Sequence, residues 1–410
     1  MPATRYGVSP WLDRFPASKR PAFPVFKSKG PVEAPLVVIG GGLAGVMTAY
    51  ACAAAGVRVI LLEADRLGSG GSGLGPGIAS AEGSTSFVDL QAQAGRRVAR
   101  AHFEHMHRAV LDLAAAARRL GIKAEMDARD AWRVAPVGCP TKALQRDVDE
   151  RRGADLEAAW HKPAAVARAV AIETAGGARL PGWAQCDPYR LVLGFARAAV
   201  ARGAQIYERS AVTKVTFDRK VATVVTSAGR ITAERVAHCT GEPTPLVKAL
   251  KRHFRFEERS VVLSAELPPL VRKAVGPRAG IVTDIEQPAH LIRWTGDHRV
   301  MVAGADGPRI PARQREKADV QRTGQLMYEL TRLYPDISGV LPAYGWSMPV
   351  AQSHDGGLYA GPHRNFPHQL FALGTGHDPA RAYLASRVLL RHVTGETTPD
   401  DEHLGFARSL

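Results

Sequence analysis

Cysteine is scarce in this chain. Four occur in 410 residues, Cys52, Cys139, Cys186 and Cys239, widely separated and without a CxxC pair. That argues against a disulfide framework and against a cysteine-based structural zinc site. No apolar run reaches the roughly 18 residues that a membrane-crossing helix needs. Residues 1–33 hold no apolar stretch of the kind that makes a secretory signal, so cytoplasm is the expected location. Internal repeats and low-complexity tracts are also missing. Lys plus Arg is 54 against 39 Asp plus Glu, a formal charge of +15, which raises the question of an acidic partner. The densest basic stretches, 96–152 and 248–259, also carry Glu104, Asp112, Asp147, Glu257 and Glu258. No basic stripe interleaved with aromatics is present, so the charge reads as a solubility charge and argues against a nucleic-acid partner.

What is present is ordinary globular composition, 45% apolar and 23% charged. The length allows two or three domains and a core with an internal cleft. Residues 1–33 are rich in proline and basic side chains and are expected to form an irregular arm on the body, pinned by Trp11, Phe15, Phe23 and Phe26.

The strongest signal follows the arm. Residues 36–39 are an apolar run suited to a buried parallel strand. Gly40-Gly41-Gly42-Leu43-Ala44-Gly45 then matches GxGxxG, a small-residue helix runs to Gly56, and a second strand ends at Glu63. Gly40 permits the tight turn, Gly42 lets backbone approach a pyrophosphate, and Gly45 lets helix and strand sit close. The helix N-terminus offers free N–H groups to the phosphates. Glu63 is placed to accept hydrogen bonds from ribose hydroxyls and disfavours a 2′-phosphate there. This much fits either FAD or NAD.

A second glycine-rich loop follows the acid directly, with Ala64, Gly70, Gly71 and Ser72 able to line a long cofactor. Far downstream, a strand runs into Thr240-Gly241. Another enters the turn Gly374-Thr375-Gly376, before an amphipathic helix whose N-terminus suits developing negative charge. Together these segments resemble the FAD-dependent oxidoreductases of the D-amino-acid oxidase type, over most of the chain from about residue 10. The start SPWLDRFP ahead of GGGLAG is most similar to the γ-glutamylputrescine branch. The resemblance implies FAD as cofactor and adds Val212 as a backbone contact to adenine. It implies an α/β fold in which a Rossmann-like FAD-binding domain (34–90, 186–247 and 345–396) is interleaved with a substrate domain of antiparallel sheet plus helices (91–185 and 248–344), leaving a tail at 397–410.

It further implies oxidation of a small-molecule amine or amino acid by hydride transfer from the carbon next to nitrogen, giving an imine. Arg293 is the residue expected to pair with a substrate carboxylate, and His377 is expected to donate to the flavin from the helix start. Asp378 reads as the helix cap. His102 and His105 read as a solvated helix face, and no metal is expected. Trp294, Trp346 and Tyr344 are candidates to wall the substrate site. The chain departs from the family pattern in two turns: Leu74-Gly75 replaces an Arg-Asn pair, and Gly376-His377-Asp378-Pro379 replaces a GHG-like turn. These departures keep open a catalytically degenerate FAD-binding descendant. The tRNA-modifying members of the same family are a further alternative.

Overall fold

Leu36–Ile39 and Val59–Leu62 are entirely buried runs of branched apolar residues, which can be satisfied only in the middle of a covered sheet. A computed structural model, describing residues 3–83, 85–286 and 288–408, places them there. Strand Val32–Ile39 pairs in parallel with Val59–Leu62 on one side and with Gly229–Gly241 on the other. Gln205–Tyr207 extends the sheet beyond Val59–Leu62, and Phe366–Leu373 and Tyr359–His363 extend it beyond Gly229–Gly241. Helix Leu43–Ala54 packs on this sheet with helices Pro188–Val200 and Pro379–Thr394 both against it. The many alanines of the first helix let them approach closely.

The second sheet is mostly antiparallel. Phe254–Ser264 runs between Pro342–Ser353 and Val300–Pro308, and the order continues through Leu291–Trp294, Ile281–Asp284, Asp127–Pro136 and Thr174–Gln185. Helix Arg315–Leu333 covers one face through Leu326 and Leu330. Helix Arg96–Arg119 turns Phe103, Met106, Val110 and Leu113 inward and packs on Pro379–Thr394.

Two expectations shift. Pro342–Ser353 pairs along its length with Phe254–Ser264, and Ile78–Ala79 pairs with Thr174–Gln185. Both therefore belong to the second sheet, not to the segments assigned to the dinucleotide domain. The arm is not wholly irregular. Arg5–Tyr6 adds a short parallel strand to Pro342–Ser353, and Pro10–Asp13 is a helical turn capped by Ser9. Phe26 is buried against the parallel sheet. Among the described residues no helix is long and apolar enough to cross a membrane.

Candidate functional site

The glycine crossover is built as close packing demands. Gly40 has φ of +107°, a conformation that favours glycine. A Cβ on Gly45 would collide with the Gly40 carbonyl oxygen, so helix and turn touch only because position 45 lacks a side chain. Gly42 caps the helix without a side chain. Of the first amides, that of Leu43 donates to Ser72 Oγ at 2.9 Å, which ties the second glycine loop to the helix start. The Glu63 carboxylate ends its strand half-buried and accepts from the amides of Gly41 (2.5 Å) and Asp65 (2.9 Å). A carboxylate has lone pairs beyond these two bonds.

These groups open on a cavity of about 760 Å³. Gly40, Gly41, Gly42, Leu43 and Ala44 form its floor, and Glu63, Ala64, Gly70, Gly71 and Ser72 one wall. Val212, Thr240 and Gly241 close the far side. Gly45 lies behind the floor as a packing position. A second cavity of about 740 Å³ lies between the two sheets and is lined by Gly374 and Gly376. The cavities meet at Thr375, His377 and Asp378, which line both. A long two-part cofactor fits this arrangement, because backbone amides and a carboxylate serve one half and an enclosed cleft the other.

At the junction, Asp378 caps helix Pro379–Thr394, accepting from Ala380 N at 2.8 Å, and also accepts from Ser80 N at 3.1 Å. Burial pushes its carboxyl up to about 6, against the pull of Arg381 and these amides. His377 has φ of +64° and packs its ring on Gly71. Its Nε2 donates to the Pro349 carbonyl, and burial lowers its pKa. That nitrogen is therefore spent on protein, which corrects the expectation that it points at a flavin carbonyl.

The cleft wall is charged but internally neutralised. Arg133 pairs with Glu82 at 2.7 Å, and Glu82 is also held by Arg151, itself on Asp147. Desolvation opposes the charge on Glu82, yet the two arginines hold its carboxyl below the usual range. Arg259 pairs with Asp306. His290 bonds Asp284 through Nδ1 (2.6 Å) and Glu329 through Nε2 (2.9 Å), which raises it to about 9 and makes it an imidazolium. Asp284, Glu286 and His290 bring ligand-type atoms within 4.8 Å of one another. Asp284 also accepts the amides of Glu286 and His290, so the cluster works as a stapled turn. Arg255 lines the cleft, is exposed, and has no ion pair or side-chain hydrogen bond among the described residues.

Arg293 is not brought to this cleft. It is buried, and its Nη1 donates to the carbonyls of Pro76 (2.9 Å), Gly77 (2.6 Å) and Cys186 (3.0 Å). The alternation of strand Leu291–Trp294 turns it to the same face as Leu291, but two residues further along it meets this backbone. Trp294 packs on Tyr334, Trp346 donates to the Leu74 carbonyl, and Tyr344 donates to Asp13 on the arm. None of the three lines the cleft. Trp183 does, with an indole N–H that has no acceptor among the described residues. Its place in an unremarkable strand gave no sequence signal. His102 is not on a solvated face. It sits beside Gly83 in a separate cavity, where burial lowers it to about 4.

A family model described as FAD dependent oxidoreductase, of the DAO type, matches residues 35–383. The chain is 26% identical over 361 residues to probable oxidoreductase OrdL of Rhizobium meliloti (strain 1021), covering 83% of this chain and 78% of that one. It is 26% identical over 319 residues to gamma-glutamylputrescine oxidoreductase of Escherichia coli (strain K12), covering 76% and 72%. Among solved structures, glycine oxidase from Geobacillus kaustophilus superposes with a TM-score of 0.77 at 20% identity, over 92% of this chain and 100% of that one.

Proposed function

The chain belongs to the FAD-dependent oxidoreductases of the DAO type, and from that premise we propose that it oxidises an amino acid or a related amine at the carbon next to nitrogen. The observation that carries the reading is the meeting of the dinucleotide cavity with the charged cleft at Thr375, His377 and Asp378. The curated relative that acts on gamma-glutamylputrescine supports an amine substrate.

Bound FAD supplies the two-electron acceptor. The chain's own residues hold and orient. The helix start at Leu43, Ser72 and Glu63 hold the adenine dinucleotide end. Gly374 and Gly376 let backbone come close at the cleft. The substrate carbon loses a hydride and its nitrogen a proton, leaving an imine that water hydrolyses. Arg259, Arg133 and His290 are neutralised by their own carboxylates, whereas Arg255 is available to a substrate carboxylate as a planar two-pronged donor. Leu291 and Met348 contribute apolar wall that excludes water from the reacting carbon.

The test is anaerobic titration of the FAD-loaded chain with a panel of amino acids and amines, read by loss of the oxidised flavin absorbance. Bleaching by one member is the expected result. A chain that retains no FAD, or retains FAD that no member bleaches, overturns the proposal.

A further inference from the structure

Another cavity lies apart from the cleft and the dinucleotide site. It encloses about 900 Å³, shares no lining residue with either cavity described above, and is walled on one side by the arm. Arg293 reaches it from the sheet. Arg293 as a residue is 5% exposed, and among the described residues no carboxylate lies within ion-pair range of it. Its Nη1 has three carbonyl acceptors, but among the described residues its Nε is buried without one and its Nη2 makes no hydrogen bond. Carbonyl dipoles orient a guanidinium without cancelling its charge, and a buried charge left so is costly. Burial lowers the pKa of Arg293, as that cost requires.

The rest of the cavity does not supply the missing anion. Six arginines line it against four carboxylates. Asp127 is taken by Arg129, Asp187 by Arg190, and Asp297 by Arg14 and Arg299. Glu125 is exposed and pairs with none of them. Arg278 is half-buried and, like Arg293, has no carboxylate partner among the described residues. The same cavity has an apolar wall: Trp11, whose ring centroid is 5.4 Å from the Arg293 guanidinium carbon, with Met126, Leu263 and Trp294.

We propose that this cavity is a second ligand site, distinct from the redox cleft, that takes a carboxylate with an aromatic or apolar body, the carboxylate on Arg293 and Arg278 and the body against Trp11 and Trp294. The site is mechanically joined to the cleft. Arg293 clamps Pro76 and Gly77, and the same segment continues through Ile78 to Ser80, which bonds Asp378 at the cofactor junction. An anion that draws the guanidinium toward the cavity loads that segment directly.

The proposal is tested by calorimetric titration of the FAD-loaded chain with benzoate, and with benzamide as the uncharged counterpart. Benzoate is expected to bind and benzamide to bind at least about tenfold more weakly, the usual worth of a hydrogen bond to a charged group. Arg278→Ala is expected to weaken benzoate by about tenfold while flavin content and thermal midpoint stay those of the parent. Arg255→Ala, in the cleft, is expected to leave benzoate binding as it was. The proposal is overturned if benzoate does not bind, if benzamide binds equally well, or if Arg255→Ala abolishes binding that Arg278→Ala preserves. None of these readouts depends on turnover, so failure here is separable from failure to find an oxidisable amine.

Discussion

The Ser80 amide donates to the Asp378 carboxylate across 3.1 Å, although the two stand at opposite ends of the chain. That bond joins the segment leaving strand Ile78–Ala79 to the start of helix Pro379–Thr394, where the two cavities meet. It also gives the junction a pH dependence with a definite sign. The Asp378 carboxyl lies at about 6 when folded, above its ordinary 3.8. Its contribution to stability is therefore complete below pH 3.8, shrinks as pH rises toward 6, and is gone above that. Asp378→Asn keeps a capping oxygen without the charge. Relative to the parent, the Asn variant should gain stability from pH 4 to pH 7 by about 3 kcal/mol. Denaturant unfolding of the FAD-free chain at the two pH values measures it; a gap that does not change with pH refutes the assignment.

At the other end of the site, a single methyl group should decide cofactor retention. Gly45→Ala places a Cβ against the Gly40 carbonyl oxygen, which can be relieved only by moving the helix start off the turn. The amides proposed to face the phosphates move with it. The variant should lose FAD affinity by about 100-fold or more, in line with a loss of ~3 kcal/mol. Fluorescence of released flavin in equilibrium dialysis reads the change. A variant that retains FAD as the parent does would show that this turn does not bear the cofactor.

How much of this was legible beforehand follows from how local each signal is. Val32 to Glu63 form one continuous strand–turn–helix–strand unit, so spacing alone displayed it. Asp378 before Pro379 was legible as a helix cap for the same reason, since both the donor amides and the acceptor lie within three residues. The Arg293 assignment was not local. The strand pattern set which face the side chain takes, but Pro76, Gly77 and Cys186 come from more than a hundred positions away and decided what it meets. His102 looked like a surface residue because its own helix is strongly amphipathic. The cavity that buries it is completed by Gly83 and by the C-terminal segment around His403. The sheet that Pro342–Ser353 joins was not legible, because a strand next to a glycine turn reads the same whichever sheet it pairs with.

His290 offers a pH dependence of its own. Carboxylates on both ring nitrogens raise it from 6.5 to about 9, so its stabilising contribution is complete below pH 6.5 and disappears as pH passes 9. His290→Ala should destabilise the chain by on the order of 2 kcal/mol at pH 6, after allowance for solvent screening. The charge-dependent part of that loss should vanish by pH 10. Urea midpoints for parent and variant across this range check it. A loss of constant size would mean that packing alone, without charge, explains the residue.

Arg255 and Arg293 make opposite claims on a substrate carboxylate, and kinetics separates them. Arg255 stands in the cleft with no partner among the described residues, so removing it costs no internal bond. Arg293 is a clamp whose removal takes a donor from three carbonyls, of which that of Gly77 keeps the Cys186 amide. For a substrate bearing a carboxylate, Arg255→Ala should raise KM by about 10- to 100-fold, the worth of one or two charged hydrogen bonds. The flavin spectrum and thermal midpoint should not change, and for an amine without a carboxylate KM should be unaffected. Arg293→Ala should instead lower the thermal midpoint and FAD content together, with the same effect on both kinds of substrate. If Arg255→Ala leaves KM alone while a folded Arg293 variant raises it only for carboxylate substrates, the anchor belongs to Arg293, and the segment at Pro76–Gly77 must open to admit it.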